Sequence, residues 1–430
     1  MLQFALPVAL GNIFQLFYSL ADTRVVGSTL GETALAAVGA TTSISTLFVG
    51  FLSGLTNGFA ILIAREFGAG REKGVRKFAA GSLLLGFLTA LSLTLLCVGG
   101  LPILLNVLNV PEELMDQSAS YIRIVLLGLV MTMFYNACAG ILRAVGDTAA
   151  PLAFLVCASI LNIGLDLLLI LVFHMGVAGA ALATVIAQTV SVVLSLIYMF
   201  SRYPVFRFRP EDFKLSLKDT RLLYTSGLSM AAMMSLVYFG TLSLQCAINT
   251  FGNDIIVAHT AARKITEFFM LPFSVMGITM ATYCGQNMGA GKMDRIRSGV
   301  RQALILTCIW CVGMMILSYT AAPELVYLVT GSRQENIAAT AELYLKVDTL
   351  FYFAPAAINI FRNALQGMGE HRTPVVSSFI ELAGKVAVAL FLAPVLHYWG
   401  IIVAEPIVWI LMVIPLIIRI KEKLGRRSAE

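Results

Sequence analysis

The sequence predicts an all-α polytopic membrane protein with twelve transmembrane helices in two pseudo-symmetric six-helix bundles. Three observations support this: an extremely apolar composition, apolar stretches of spanning length, and motifs that recur between the two halves. Of the 430 residues, 58% are hydrophobic and 13% are charged, with a mean hydropathy of +0.86, far more apolar than a soluble domain. A bilayer leaves backbone polar groups no partner outside their own segment, so apolar stretches of about 20 residues are expected to span as helices.

Twelve such stretches are separated by short polar or Gly/Pro-containing turns. The first begins almost at Met1, with no basic segment before it and no small-residue cleavage site after it, so we expect a retained signal anchor. The predicted spans are 3–26, 34–63, 78–101, 119–142, 152–173, 177–200, 222–249, 255–284, 302–322, 338–361, 375–396 and 400–420.

Lysine and arginine alternate between basic and non-basic loops. Five basic residues lie in 64–77, whereas the next connection, NVLNVPEELMDQS, has none. In total, 23 of the 30 lysines and arginines fall in the even-numbered loops and the C-terminal tail, when Arg419 at the end of the last span is counted with the tail. Because cytoplasmic loops retain positive charge, we expect both termini to be cytoplasmic in a plasma (bacterial inner) membrane. The net charge of +6 then indicates a face toward anionic membrane lipid and requires no nucleic-acid partner.

The longest polar interval, 202–221, is predicted to be a cytoplasmic linker between an N-terminal lobe (1–201) and a C-terminal lobe (222–430). GAGREKGVRK at 68–77 matches GAGKMDRIRS at 289–298, with an offset of 221. At an offset of 223, the matching pairs are Asn136/Asn359, Leu142/Leu365, Gly146/Gly369, Pro151/Pro374, Tyr121/Tyr344 and His174/His397.

Two six-helix halves that both begin on the cytoplasmic side form a parallel repeat, related by an axis along the membrane normal. Such repeats are typical of carriers that expose a central site alternately to either side. Duplication can also build a passive scaffold or an enzyme, so the repeat alone leaves those alternatives open.

Asp166 interrupts the apolar run SILNIGLDLLLILVF. A charged residue at a helix centre costs about 2.5–3.5 kcal/mol on insertion scales and is expected to have partners in the protein interior. Asn162, one turn earlier, and Thr184, at similar depth in the next helix, are candidates, and Asp22 follows Gln15 and Tyr18 on one stripe of the first helix. These oxygen groups could hold a proton or a monovalent cation, while Asp22 alternatively pairs with Arg24 or ends its helix in water.

Three motifs resemble the multidrug and toxic compound extrusion (MATE) family: P-x-x-x-G-N-x-F-Q-x-x-Y-x-x-x-D-T at Pro7–Thr23, L-R-A-V-G-D-T-x-x-P at Leu142–Pro151, and N-x-x-x-D at Asn162–Asp166. The resemblance covers essentially the whole chain. It implies cation-coupled efflux of organic, often cationic, drugs through a cleft between two lobes. Asp22, Asn162, Asp166 and Thr184 match the N-lobe cation site of prokaryotic members, and Pro7 matches a helix-one bend.

The second half departs from this pattern. Asp22 aligns with Ser243 and Asp166 with Ala389, so a C-lobe cation site is not expected and coupling through the N-lobe is favoured. Glu381 and Lys385, spaced i, i+4, can neutralise one another, and Glu405, just before Pro406, is expected near a helix start. Other charges in this half without a clear role are Glu267 and Asp348, the latter beside Lys346.

Aromatic and amide residues are the substrate candidates, although polar side chains inside bundles commonly serve as interhelical hydrogen bonds. The chain is expected to act as a monomer on small organic molecules, with H⁺ and/or Na⁺ as the coupling ion, no other metal and no enzymatic cofactor. Competing functions are a lipid-linked precursor flippase, which needs a cationic cavity, and an integral-membrane enzyme. The substrate candidates are Gln15, Tyr18, Asn57, Tyr135, Asn136, Tyr238, Gln245 and Asn359.

Overall fold

The computed structural model describes residues 1–107, 110–330 and 334–425 and is helical almost throughout this part of the chain. Residues 426–430 of the predicted basic tail lie outside it. The α-helices are α1 (Leu2–Leu30), α2 (Glu32–Gly68), α3 (Glu72–Gly99), α4 (Leu101–Val107), α5 (Glu112–Leu127), α6 (Leu129–Ala144), α7 (Ala149–Leu167), α8 (Gly176–Arg202), α9 (Leu217–Ile248), α10 (Asn253–Gly289), α11 (Met293–Thr330), α12 (Glu335–Leu350), α13 (Phe353–Gly367), α14 (Arg372–Ala387), α15 (Ala393–Leu396) and α16 (Tyr398–Gly425).

The polytopic helical fold is confirmed. Within the described ranges, ten helices are long and apolar enough to cross a membrane, or eleven if the pair α5–α6, bent by 43° around Gly128, is one span. The tenth predicted span, 338–361, falls on α12 and α13, which are interrupted at Phe351 and Tyr352. The predicted spans were mostly shorter than the helices, because polar residues at the helix ends continue the hydrogen-bonded backbone beyond the apolar stretch.

The chain divides into two compact units, Leu2–Ala231 and Ala232–Glu430. Each unit has its own apolar core. Fully buried leucines and Phe59 of α2 pack against α5 and α6 in the first unit. In the second unit Tyr352 makes edge-to-face contacts with Phe269, Phe273 and Trp409.

The internal repeat is visible in the backbone. Three glycines with positive φ in the first half have counterparts in the second: Gly31 and Gly252, Gly70 and Gly291, and Gly146 and Gly369. His174 and His397 share a positive φ of 53° and 52°, which is uncommon for a residue with a side chain. A single π-helical turn precedes each histidine, at Leu168–Val172 and Val388–Leu392. The two halves therefore share unusual local geometry as well as sequence.

The polar interval between the halves is ordered against the first unit. It contains two 3₁₀ turns, Pro204–Phe206 and Pro210–Phe213, and Phe206 is fully buried. The Asp212 carboxylate accepts hydrogen bonds from Arg76 Nε and the Arg209 amide, both at 2.7 Å.

The start of α9 also belongs to the first compact unit, because it packs closely on α2. Ser226 Oγ donates to the Gly58 carbonyl at 2.7 Å, and a Cβ at Gly54 would lie 2.8 Å from Ala231 Cα. This unit therefore continues beyond 202–221 to Ala231. The predicted limits of the functional lobes stay a prediction.

Candidate functional site

Two buried polar side chains lie near the end of α7. Asn162 and Asp166 are one turn apart and therefore share a face of the helix, with 1% and 0% of their surfaces exposed. The π-helical turn Leu168–Val172 follows directly, and such turns frequently occur at functional sites. The sequence places an amide and a carboxyl group here among isoleucines and leucines.

Thr184 on α8 connects three helices. Asn162 Nδ2 donates to Thr184 Oγ1 at 3.3 Å, and the Tyr18 hydroxyl lies 3.3 Å from the same oxygen. The Thr184 hydroxyl donates to the Ala180 carbonyl at 3.3 Å, which leaves its lone pairs to accept from the other two groups. Thr184 thus contacts Asn162 and Tyr18, and ties α1, α7 and α8 together.

The carboxyl groups of Asp22 and Asp166 lie close enough to interact electrostatically with each other and with the hydroxyls of Tyr18 and Tyr121. Four buried oxygens accept from no backbone, amide or hydroxyl group among the described residues: both of Asp166, Oδ1 of Asp22 and Oδ1 of Asn162. The one side-chain partner of the Asp166 carboxyl group is the carboxyl group of Asp22. A buried polar atom without a partner costs about 1–3 kcal/mol, and more when charged. Four such oxygens in one place are suited to a proton or a hard cation, which favours oxygen ligands.

Asp22 is not the last residue of its helix, because α1 continues for two more turns to Leu30. Within the described part of the chain it forms no ion pair with Arg24. Both alternatives weighed for Asp22 therefore fail. Pro7 lies inside α1, and the bend expected at this position stays a prediction.

A cavity of about 50 Å³ adjoins the acidic cluster, which is room for one or two waters or a small ion. It brings the substrate candidates Gln15, Tyr18 and Tyr135 together with Asn162 and Thr184. Gln188 also lines it, a residue the sequence did not single out. Its Oε1 accepts from Thr132 Oγ1 at 2.7 Å.

The other substrate candidates of the first unit lie elsewhere. Arg143 donates to Asn57 Oδ1 at 3.0 Å, which joins α6 to α2. Asn136 Nδ2 donates to the Thr132 carbonyl of its own helix. Asn57 thus fits the interhelical role that polar residues often have in bundles.

In the second unit, two substrate candidates bond within their own helix or its end. Gln245 Nε2 donates to Asn249 Oδ1 at 2.8 Å, and Asn359 Nδ2 donates to the Pro355 carbonyl at 2.9 Å. Tyr238 is half-buried on α9. A substrate role for these residues stays a prediction.

The second unit contains a buried charge network centred on Lys385. Its Nζ lies 3.1 Å from Glu381 Oε1 and 3.2 Å from Glu405 Oε1, so the predicted pairing of Glu381 with Lys385 is confirmed. Arg362 approaches Glu381 at 3.4 Å and Arg263 approaches Glu405 at 3.5 Å. Arg362, counted as a loop residue from sequence, is buried inside α13.

The expectation for Glu405 was wrong, and Asp348, which had no clear role from the sequence, has partners on another helix. Glu405 is not near a helix start: α16 begins at Tyr398, two turns earlier, because the helix continues through Pro406. Asp348 does not pair with Lys346, which bonds Glu342 instead. Asp348 is fully buried and accepts from Thr266 Oγ1 at 3.3 Å.

Glu267, also without a clear role from sequence, forms a mostly exposed pair with Lys264 at 3.3 Å. Such surface pairs contribute little to stability. No group of three or more His, Cys, Asp or Glu side chains that could hold a metal ion occurs among the described residues.

A family model described as MatE matches residues 7–168 and again residues 229–391. The chain belongs to the MatE family. The two matches fall on the two halves of the repeat, so each half carries the family pattern. Members of this family are ion-coupled transporters.

Curated relatives cover most of the chain. A probable multidrug resistance protein of Bacillus subtilis, YpnP, is 27% identical over 81% of this chain and 78% of its own. The probable multidrug resistance protein NorM of Thermotoga maritima is 25% identical over 89% of this chain and 82% of its own. A crystal structure titled as MATE in the bent conformation has a TM-score of 0.90 at 23% identity, covering 100% of this chain and 96% of that one. The chain therefore has the MatE fold and belongs to a family of multidrug efflux transporters.

Proposed function

We propose that this MatE transporter is an antiporter that exports small organic compounds in exchange for H⁺ or Na⁺ bound between Asp22 and Asp166. The observation that carries the proposal is the pair of Asp166 oxygens, which are fully buried and have no side-chain partner except the carboxyl group of Asp22. A structural aspartate would have its oxygens bonded. Such a costly arrangement is expected where an ion is taken up and released.

Coupling requires that the cation interacts differently with two arrangements of the lobe. Binding a cation neutralises one of two neighbouring carboxylates and removes their repulsion, which favours bringing α1 toward α7. Loss of the cation favours separation. Tyr18 and Thr184 link these helices and also line the adjoining cavity, so a change at the acids alters the space open to a substrate.

Several features follow for the transport cycle. The names of the relatives indicate organic compounds of varied structure, and the acidic pair favours cationic ones. Alternating exposure of a site by two lobes is the mechanism that a parallel repeat serves. The placement of lysine and arginine supports cytoplasmic termini, and the bacterial relatives support a location in a bacterial inner membrane. The proposed working unit is a monomer.

The test is transport by purified protein in proteoliposomes, with imposed Na⁺ or pH gradients and a panel of dyes and drugs. Asp166→Asn should lower gradient-driven flux by about 5- to 150-fold, the range that corresponds to a coupling of 1–3 kcal/mol. Asp254→Asn, at the exposed start of α10, is the matched control and should keep wild-type flux. Full gradient-driven flux in Asp166→Asn would overturn the proposal.

A further inference from the structure

The charge network of the second unit occupies the position that corresponds to the acidic cluster of the first. The offset of 223 holds before the site, at Pro151 and Pro374, and after it, at His174 and His397. The helices α7 and α14 also begin 223 residues apart, at Ala149 and Arg372, and neither is interrupted before Asn162 or Lys385. Asn162 therefore corresponds to Lys385.

The next helix of each half gives a second correspondence. A Cβ at Gly179 would lie 3.2 Å from Leu169 Cβ, and one at Gly400 would lie 2.8 Å from the Leu392 carbonyl oxygen. Leu169 and Leu392 are themselves 223 residues apart, so the two glycines make the same close approach. Five residues beyond each glycine stand Thr184 and Glu405.

The two corresponding pairs are also in contact. Asn162 bonds Thr184 at 3.3 Å in the first unit, and Lys385 contacts Glu405 at 3.2 Å in the second. The repeat pair Tyr121 and Tyr344 agrees with this: Tyr121 faces Asp22 and Asp166, and Tyr344 faces Arg263, Asp348 and Glu405. The two halves thus place different chemistry in the same local framework.

The two sites differ chemically because the second unit has a positively charged side chain, Lys385, at this position. In the described part of the first unit, Asp22 and Asp166 form no ion pair and have only each other as carboxyl partners, whereas the second unit has an ammonium group, 3% exposed, between two carboxylates. Arg362 contacts the other oxygen of Glu381, and Arg263 contacts the same Glu405 oxygen as Lys385. Two glutamates at this depth require cations, and here the chain supplies them.

We propose that Lys385 is a tethered cation that takes the place, in the C-terminal half, of the ion that the N-terminal half binds and releases. The C-terminal half is then permanently loaded, and only the N-terminal half exchanges an ion with the solution. The comparison rests on the proposed cation site at Asp166, but the prediction for Lys385 can be tested without it.

The test removes the tethered cation and asks whether a free one replaces it. The variant is Lys385→Asn, which introduces the residue type of position 162, and the control is Lys346→Asn, at a partly exposed lysine paired with Glu342. Both are made in wild type and in an Asp166→Asn background, so that an ion response of the N-terminal half is recognised separately. Melting temperature is measured against Na⁺ concentration and against pH.

Lys385→Asn should gain a saturable rise of about 5 °C with Na⁺ or with protons, in both backgrounds, as expected when a ligand binds only the folded state. Lys346→Asn should gain none. The charged and titratable groups facing the altered site are Arg263, His259, Tyr344, Asp348, Arg362, Glu381 and Glu405.

A double variant, Lys385→Met with Glu405→Gln, removes one cation and one anion together and should fold without any new ion response. The proposal is overturned if Lys385→Asn gains no ion response, if it aggregates at every Na⁺ concentration and pH while the double variant folds, or if the double variant responds equally. If the melting temperature of wild type does not respond to Na⁺ or pH while that of Lys385→Asn does, the proposed ion site at Asp166 is refuted and the inference about Lys385 is supported.

Discussion

Replacing Asp166 by Asn is predicted to stabilise the protein in Na⁺-free buffer near pH 8, even though it abolishes coupling. Both carboxylate oxygens are buried with no donor other than the carboxyl group of Asp22, and a buried oxygen that lacks a donor costs about 1–3 kcal/mol. An amide removes the charge and offers donors to the nearby Asp22, but keeps one acceptor. The expected net gain is about 1–3 kcal/mol, which corresponds to about 2–10 °C in melting temperature for a unit of this size.

The assay is thermal unfolding of purified protein with and without Na⁺. The coupling ion should raise the melting temperature of wild type. Asp166→Asn should have a higher melting temperature in Na⁺-free buffer, and neither Na⁺ nor acid should change it through this site. Asp254→Asn should behave as wild type. If Asp166→Asn has a lower melting temperature than wild type in Na⁺-free buffer, Asp166 is a structural residue. That result would refute the free-energy cost assigned to its buried oxygens.

Three further predictions follow from other contacts. Glu381→Gln should destabilise the second unit by about 3–5 kcal/mol, because Lys385 and Arg362 lose a buried partner; an unchanged melting temperature would contradict this. Burial raises the pKa of Asp212, but the Arg209 amide and Arg76 outweigh it and lower that pKa overall. The contact is therefore fully stabilising above the ordinary pKa of about 3.9 and is lost as the pH falls through the lowered pKa. Protection of 204–213 against hydrogen exchange, taken relative to the intrinsic exchange rate at each pH, should fall over this range, and Arg76→Gln should remove this dependence. A fluorescent protein fused at the C-terminus should fluoresce, and an alkaline phosphatase fusion should be inactive; the reverse would refute the orientation.

The helical fold and the repeat could be predicted because both depend on local sequence. Apolar stretches of spanning length specify helices in a bilayer, and the shared glycines at turns, such as Gly146 and Gly369, recur at positions with positive φ. The break between α12 and α13 was missed, although Pro355 is a signal for it: a proline ring clashes with the carbonyl of residue i−4, which is Phe351.

The site was predicted only in part. Asp166 and Asn162 could be identified because polar groups are costly in apolar helices. A tyrosine in such a helix has a much smaller cost, so Tyr121 was identified only as the residue that matches Tyr344 in the repeat. The partners of Lys385 were harder to foresee. Arg263 and Arg362 come from helices distant in sequence, and which charges meet depends on how those helices pack.

The central claim is that export of an organic substrate is exchanged for a cation at Asp166. The most direct measurement is the reverse reaction: proteoliposomes without any ion gradient receive a substrate gradient, and the movement of H⁺ and ²²Na⁺ is followed. The account predicts that substrate flux drives one of these cations uphill in the opposite direction, and that Asp166→Asn abolishes this movement. Substrate flux through wild type with no opposing cation movement would contradict it.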